Sequence, residues 1–264
     1  MIRVEALLPQ VDDLVCHYAH RTGGVSAAPF DSLNLGFSTG DAAAAVVENR
    51  HRLAQTLDAP LDRWVVAGQV HGAQVTQPTA AHAAEGARAP SAVFSAADAV
   101  LLTEPHLFTL VLGADCPAVV IADPVRRWVG VAHAGWRGTV AGVIQALVAA
   151  FMARGSAPRD WVAAVSPGIC GACYEVGEEV FAALASQPGA AAARSGRQLD
   201  LRVTHRHILV AASVPPAAIR VHPDCTACRP ERYFSHRRDH GATGRNGVLV
   251  GWRRAGTAHD SRRH

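Results

Sequence analysis

Residues 112–138 read LGADCPAVVIADPVRRWVGVAHAGWRG. Two apolar runs, 118–121 and 128–133, flank the turn-like pentapeptide Asp123-Pro124-Val125-Arg126-Arg127, so the segment predicts a β-hairpin. With the turn centred near Val125, facing positions sum to about 250. His133 then faces Pro117, one register step from Cys116. A thiol and an imidazole seventeen positions apart in sequence are expected to meet in space.

Working outward, short Val, Ile and Leu runs alternate with Gly, Pro and Asp punctuation, and a few Ala-rich stretches carry helical periodicity. The pattern predicts a mixed α/β class. Further strands are expected over 64–70, 99–102, 108–113, 161–165 and 218–221, and helices over 42–57, 139–154, 177–185 and 200–212. The first helix is expected to open on Asp41, and the second to take its N-cap from Gly138-Thr139. Residues 77–91 and 187–197 are poor in large apolar side chains and read as mobile connections. No repeat and no composition break divides the chain, so residues 1–252 are read as one catalytic domain and 253–264 as a flexible tail.

Composition limits the chemistry. The 264 residues are 49% apolar and 18% charged, which excludes a disordered or collagen-like chain. A net charge of +3 gives no case for nucleic acid or an anionic membrane. All 25 basic residues are Arg, which excludes a Schiff-base or P-loop lysine. The opening MIRVEALLPQVDDLV does not read as a secretory signal, and no run is long enough to span a bilayer. A cytoplasmic location is expected, and with it six reduced cysteines available for metal or catalysis.

A third polar group joins Cys116 and His133 in the segment Gln69-Val70-His71-Gly72, where an imidazole ends an apolar run. Two histidines and a thiolate match the three protein ligands of a catalytic zinc with an open fourth position. A metal there would deprotonate the thiol and acidify a bound water. Spacing leaves two other readings open: a core cysteine with a structural histidine, or a Cys116–His133 nucleophile dyad with Asp115 orienting the base. Copper fits less well. The chain offers only Met1 and Met152 as thioether ligands and a single His-x-His, His205-Arg206-His207.

Cys170-Gly171-Ala172-Cys173 and Cys225-Thr226-Ala227-Cys228 are separated by 51 residues, against roughly 15–20 in zinc ribbons. Separate buried or loop thiols are therefore expected, ahead of a four-cysteine zinc. Arginine and glycine cluster in three places, at 21–26, 135–138 and 235–245, and Arg21, Arg137, Arg237 and Arg245 of these clusters are candidates for binding substrate or phosphate.

The chain resembles, over about residues 20–250, the laccase-domain family, also called multicopper polyphenol oxidase-like. That family is described as purine nucleoside phosphorylases and includes bacterial peptidoglycan-editing factors. The resemblance is carried by RTGGVS and SLNLG at 21–36, ENR at 48–50, QVHG at 69–72, ADC at 114–116 and HAGWRG at 133–138. It continues through CYEVGEEV at 173–180, LDL at 199–201, and CTAC through SHRRD to TGR at 225–245.

The resemblance implies a single-domain four-layer α/β/β/α sandwich with zinc (Zn2+) on His71, Cys116 and His133 as both metal ligands and catalytic residues. It implies phosphorolysis of adenosine, inosine and methylthioadenosine, with adenosine deaminase activity beside it. The partners would be a purine nucleoside and phosphate, with no nucleic acid, membrane or protein partner indicated. Similarity to toxin-type Cys-His deamidases keeps an amide hydrolase open, including one that edits a UDP-muramyl-serine precursor. A copper polyphenol oxidase is not expected. Ser166, where the family more often has Gly, and Pro117-Ala118, replacing a usual Leu-Pro, are departures expected to alter pocket shape.

Overall fold

The hairpin forms, one register step from its expected position. Ala118 faces His133 and Asp123 faces Trp128, so facing positions sum to 251 and His133 lies opposite Ala118 rather than Pro117. The cause is a four-residue loop with Arg127 at φ 55°. Asp123 Oδ1 accepts the Arg126 amide at 3.0 Å and closes the loop. Because strand side chains alternate faces, His133 shares its face with Val129 and Val131 of its own strand, and the step makes Ala118 its cross-strand neighbour on that face.

A computed structural model describes residues 1–89 and 94–254. In chain order it gives β1 (Val4–Ala6), β2 (Leu14–Ala19), α1 (Ala43–Thr56), β3 (Trp64–Val65), β4 (Val75–Thr76), β5 (Ala99–Leu102), β6 (Phe108–Gly113), β7 (Ala118–Asp123) and β8 (Trp128–His133). There follow α2 (Trp136–Ala141), α3 (Val143–Met152), β9 (Val162–Val165), α4 (Glu178–Leu184), α5 (Ala190–Ala193), β10 (Arg194–Ser195), β11 (Gln198–Leu199), α6 (Leu201–Ala211), β12 (Ile219–Val221) and β13 (Asn246–Trp252). One sheet has the order β1-β2-β13-β6-β3 and a second the order β12-β9-β7-β8-β5-β4.

The layering follows from which faces are apolar. Cys16, Val111, Val248 and Val250 of the first sheet meet Val100, Val120, Ala122, Val129 and Val131 of the second in one core between the sheets. The outer face of the first sheet, including Val15, Phe108, Leu110 and Leu249, is covered by Leu53 and Ala54 of α1. That of the second, including Leu101, Val119, Ile121 and Val165, is covered by Ile144, Leu147 and Phe151 of α3 and by Ile208 and Leu209 of α6. The result is the α/β/β/α sandwich. Its central strands are buried on both faces and so read as continuous apolar runs. A satellite core joins Val180, Phe181 and Leu184 of α4 to Leu199, Leu201, Trp136 and Val140.

Several boundaries differ from expectation. The strand expected over 64–70 ends at Val65, after which the Val66 amide turns to the Glu85 carbonyl and Gly68 bridges to Ala96. The helix expected over 139–154 begins at Trp136 behind Gly135, and breaks in two at Gly142, whose φ is +86°. Thr139 lies inside α2 and caps nothing. Asp41 precedes the Ala42 cap and accepts from Ser26 Oγ and Asn34 Nδ2 instead. Residues 187–197, expected to be mobile, include α5 and part of the β10–β11 hairpin. Within 77–91, a Thr79–His82 capping box opens a short helical turn at Ala80–His82, and residues 90 and 91 lie outside the described residues.

Of the expected tail, Arg253 is tied to the Asp13 and Leu57 carbonyls, and residues 255–264 lie outside the described residues. No helix among the described residues is long and apolar enough to cross a membrane.

Candidate active site

Strand register builds the centre of the site. β5 runs antiparallel to β8 with Ala99 opposite Ala132, which sets Asp98 beside His133. The His133 amide donates to the Asp98 carbonyl at 2.7 Å, and His133 Nδ1 lies 2.9 Å from Asp98 Oδ1. The other carboxylate oxygen accepts the amides of Val70 at 3.0 Å and Gly72 at 2.7 Å. Asp98 is 1% exposed and thus fixes both His133 and the loop carrying His71. His71 sits at φ 62°, with its ring edge-on to His133 and the centroids 5.0 Å apart.

Burial opposes ionisation of Asp98, but the hydrogen bonds from His133, Gly72 and Val70 outweigh it and hold the carboxyl below its usual range. Burial likewise disfavours a charged His133. Asp98 and the Cys116 thiol overcome that and push its pKa up to about 9. His71 moves the other way, lowered by burial and then by the neighbouring His133.

Cys116 follows Asp115, which has φ 89° and both carboxylate oxygens occupied, by Thr226 Oγ1 at 2.6 Å and by the Arg237 amide at 2.7 Å. Asp115 thus braces the Cys116 loop, and Asp98 holds the orienting position expected for Asp115. Close approach explains the first glycine of HAGWRG: a Cβ at Gly135 would lie 2.7 Å from Cys116 Sγ. His71, Cys116 and His133 share one cleft of about 650 Å³, a volume suited to a small organic ligand.

Arg137, Arg237 and Arg245 line the same cleft. Arg137 stacks on Trp136 at 4.4 Å and Arg237 on Tyr174 at 5.1 Å, which holds each guanidinium plane in place. Arg237 Nη1 also donates to the Glu175 carbonyl. Arg245 donates to the carbonyls of Thr243 and Gly244 and is held below the usual arginine pKa by burial. Arg21 is not part of this lining. Its guanidinium donates to the Asp31 and Pro230 carbonyls and lies over Phe234.

Arg50, which composition did not single out, does reach the cleft. It is 1% exposed, stacks on Phe37, and donates to the carbonyls of Leu35, Gly86 and Ala87.

Two sets of metal-type donors among the described residues have all their ligand atoms within 4.8 Å of one another. One is Cys170, Cys173, Cys225 and Cys228, which overturns the expectation of separate thiols. The other is Glu5, His222 and Asp224, where Glu5 is already engaged by His20, His222 and Tyr233. The cleft triad is not among these tightly gathered sets. Its donor chemistry nevertheless fits a catalytic zinc: two imidazoles and a thiol, one imidazole backed by a buried carboxylate.

A family model described as multi-copper polyphenol oxidoreductase laccase matches residues 15–253. The chain belongs to this family. It is 36% identical over 250 residues to purine nucleoside phosphorylase YlmD of Bacillus subtilis, covering 92% of this chain and 90% of that one. It is 40% identical over 229 residues to purine nucleoside phosphorylase ORF3 of Streptomyces griseus, covering 86% and 90%. The crystal structure of YlmD from Geobacillus stearothermophilus superposes with a TM-score of 0.89 at 36% identity, over 93% of this chain and 94% of that one.

The family segments divide by position. QVHG, ADC, HAGWRG, SHRRD and TGR each contribute to the cleft lining. RTGGVS, SLNLG and Glu48-Asn49 of ENR form a buttress behind it, while Arg50 of ENR reaches the lining itself. There Asn49 joins Val25, Ser26 and Asn34, and Asn34 Oδ1 accepts the Arg245 amide.

Proposed function

We propose that the chain is a zinc-dependent purine nucleoside phosphorylase acting on adenosine, inosine and methylthioadenosine, with deamination of adenosine as a second activity. The observation that carries this reading is one cleft in which a Cys-His-His set faces three arginines, in a chain whose relatives bear the phosphorylase name. His71, Cys116 and His133 would hold the zinc, and Asp98 would fix the His133 tautomer and the His71 loop. A bound zinc would supply Lewis-acid charge beside the reacting atoms.

The remaining steps belong to the protein's own residues. Arg137, Arg237 and Arg245 neutralise and orient phosphate through charge-assisted hydrogen bonds. A phosphate oxygen bonds to C1′ as the bond from C1′ to the base breaks, through an oxocarbenium-like transition state. The electron pair leaves with the base, and the proton lost by the phosphate balances the one the base gains.

The test is product analysis on adenosine, inosine and methylthioadenosine with and without phosphate. Phosphate-dependent base release with a pentose 1-phosphate, and inosine formed from adenosine, are expected. Base release that ignores phosphate, or none from any of the three nucleosides, would overturn the phosphorylase reading.

A second reading, a Cys-His amide hydrolase acting for example on UDP-muramyl-serine, is favoured by the Cys116–His133–Asp98 line, which is also that of an activated thiol. Alkylation of Cys116 separates the two. A metal-shielded thiolate reacts fast only after chelation, whereas a catalytic thiol reacts equally fast before it and forms an acyl adduct.

A further inference from the structure

The four cysteines outside the cleft come together through topology. β9 and β12 are parallel neighbours, with Val165 beside Val221, and each strand is followed within a few residues by a C-x-x-C pair. Parallel pairing continues past the strands at Gly168 and Cys225. The 51 residues between the pairs contain the long crossover, here helical, that joins these two parallel neighbours.

The local geometry at both pairs is that of a metal knuckle. The Cys170 amide donates to Cys225 Sγ at 3.2 Å. Within each pair the second cysteine's amide points at the first cysteine's sulfur, Cys173 to Cys170 and Cys228 to Cys225. Cys173 Sγ and Cys228 Sγ lie 3.4 Å apart, and all four sulfurs are mutually within 4.8 Å. A tetrahedral zinc with bonds of about 2.3 Å sets every pair of sulfurs about 3.8 Å apart. Two disulfides would need only pairwise approach. The buried Arg202, held by Asp200 and by the carbonyls of His222, Pro223 and Asp224, supplies positive charge beside Cys170 and Cys225.

We propose that Cys170, Cys173, Cys225 and Cys228 bind a structural zinc ion that staples a loop lining the cleft to the loop that braces Asp115 behind it. The first loop carries Ile169 and Tyr174, both lining the cleft, and the Glu175 carbonyl that receives Arg237. The second carries Thr226, whose hydroxyl holds Asp115 next to Cys116, and whose carbonyl receives Arg238. A closed four-thiolate shell has no open position, so this ion holds geometry and performs no chemistry.

The test uses the full chain, purified without metal additives under reducing conditions and then desalted. In a His71→Ala/His133→Ala variant about one zinc per chain is expected to remain. Reconstituting that variant with cobalt should give the intense visible bands of a tetrahedral tetrathiolate site. Adding Cys173→Ser and Cys228→Ser should abolish both the retained zinc and the bands. Thiol counting on the denatured protein without reductant runs alongside and is expected to find all six cysteines as thiols. Zinc content and spectrum indifferent to the cysteine changes would overturn the proposal. So would a thiol count lowered by four with a matching mass loss, since the sulfurs would then be disulfides.

Discussion

Asp98 spends both carboxylate oxygens on the site, one on His133 and one on the amides either side of His71. With zinc in the cleft as proposed, Asp98→Asn keeps the shape but removes the charge that would make His133 a strong ligand. It is expected to weaken zinc binding in the cleft about 10- to 100-fold, read by chelator competition. The Arg237 guanidinium is held on Tyr174 and by the Glu175 carbonyl rather than by a carboxylate. Losing one charge-assisted hydrogen bond costs about 1.5–3 kcal/mol. Arg237→Gln is therefore expected to raise the KM for phosphate by roughly 10-fold or more while leaving the KM for nucleoside nearly unchanged, read in steady-state kinetics with phosphate varied. The ligand-type residues of the cleft were legible because each sits in a short, chemically distinctive segment. Asp98 was not, because nothing local marks it. Its role comes from strand register, which pairs the residue before one apolar run with the last residue of another.

At the scale of elements, α2 is joined to α6 by a hydrogen bond of 2.9 Å between Thr139 Oγ1 and His205 Nε2, both fully buried. Burial lowers the His205 pKa from 6.5 to about 3. The unfolded chain takes up this proton below about pH 6.5 and the folded one does not until near pH 3, so stability is full above that window and falls as pH drops through it. The loss from this group is about 1.4 kcal/mol per pH unit. Urea unfolding at pH 7 and pH 5 should show it, and His205→Gln should remove that part of the slope. The cysteine pairs teach a related lesson. A gap of 51 residues is too long for a ribbon, but it is an ordinary length for a crossover between parallel strands. Composition marked the thiols, and only the pairing of β9 with β12 brings them together.

Across the whole molecule, the hairpin and the apolar runs beside it showed most of the second sheet and the mixed α/β class, the layer order was implied only by the family resemblance, and the first sheet was half hidden. β2 and β13 escaped notice because LVCHYA and NGVLVGW are broken by His, Gly and flanking charge, although nearly every residue of both is buried. Leu249 on β13 is fully buried between Leu110 and the α1 layer. Leu249→Ala is expected to cost about 2–5 kcal/mol in urea unfolding, as for other large-to-small changes in a closed core. The place of β13 in the order β1-β2-β13-β6-β3 also governs when that sheet can exist. A ribosome that has translated residues 1–245 has made every other strand of it, yet these remain two separate ribbons, β1–β2 and β6–β3, with no shared edge. The nascent protein must wait for residues 246–252 to thread between them, with both inner edges open to other chains until that strand arrives.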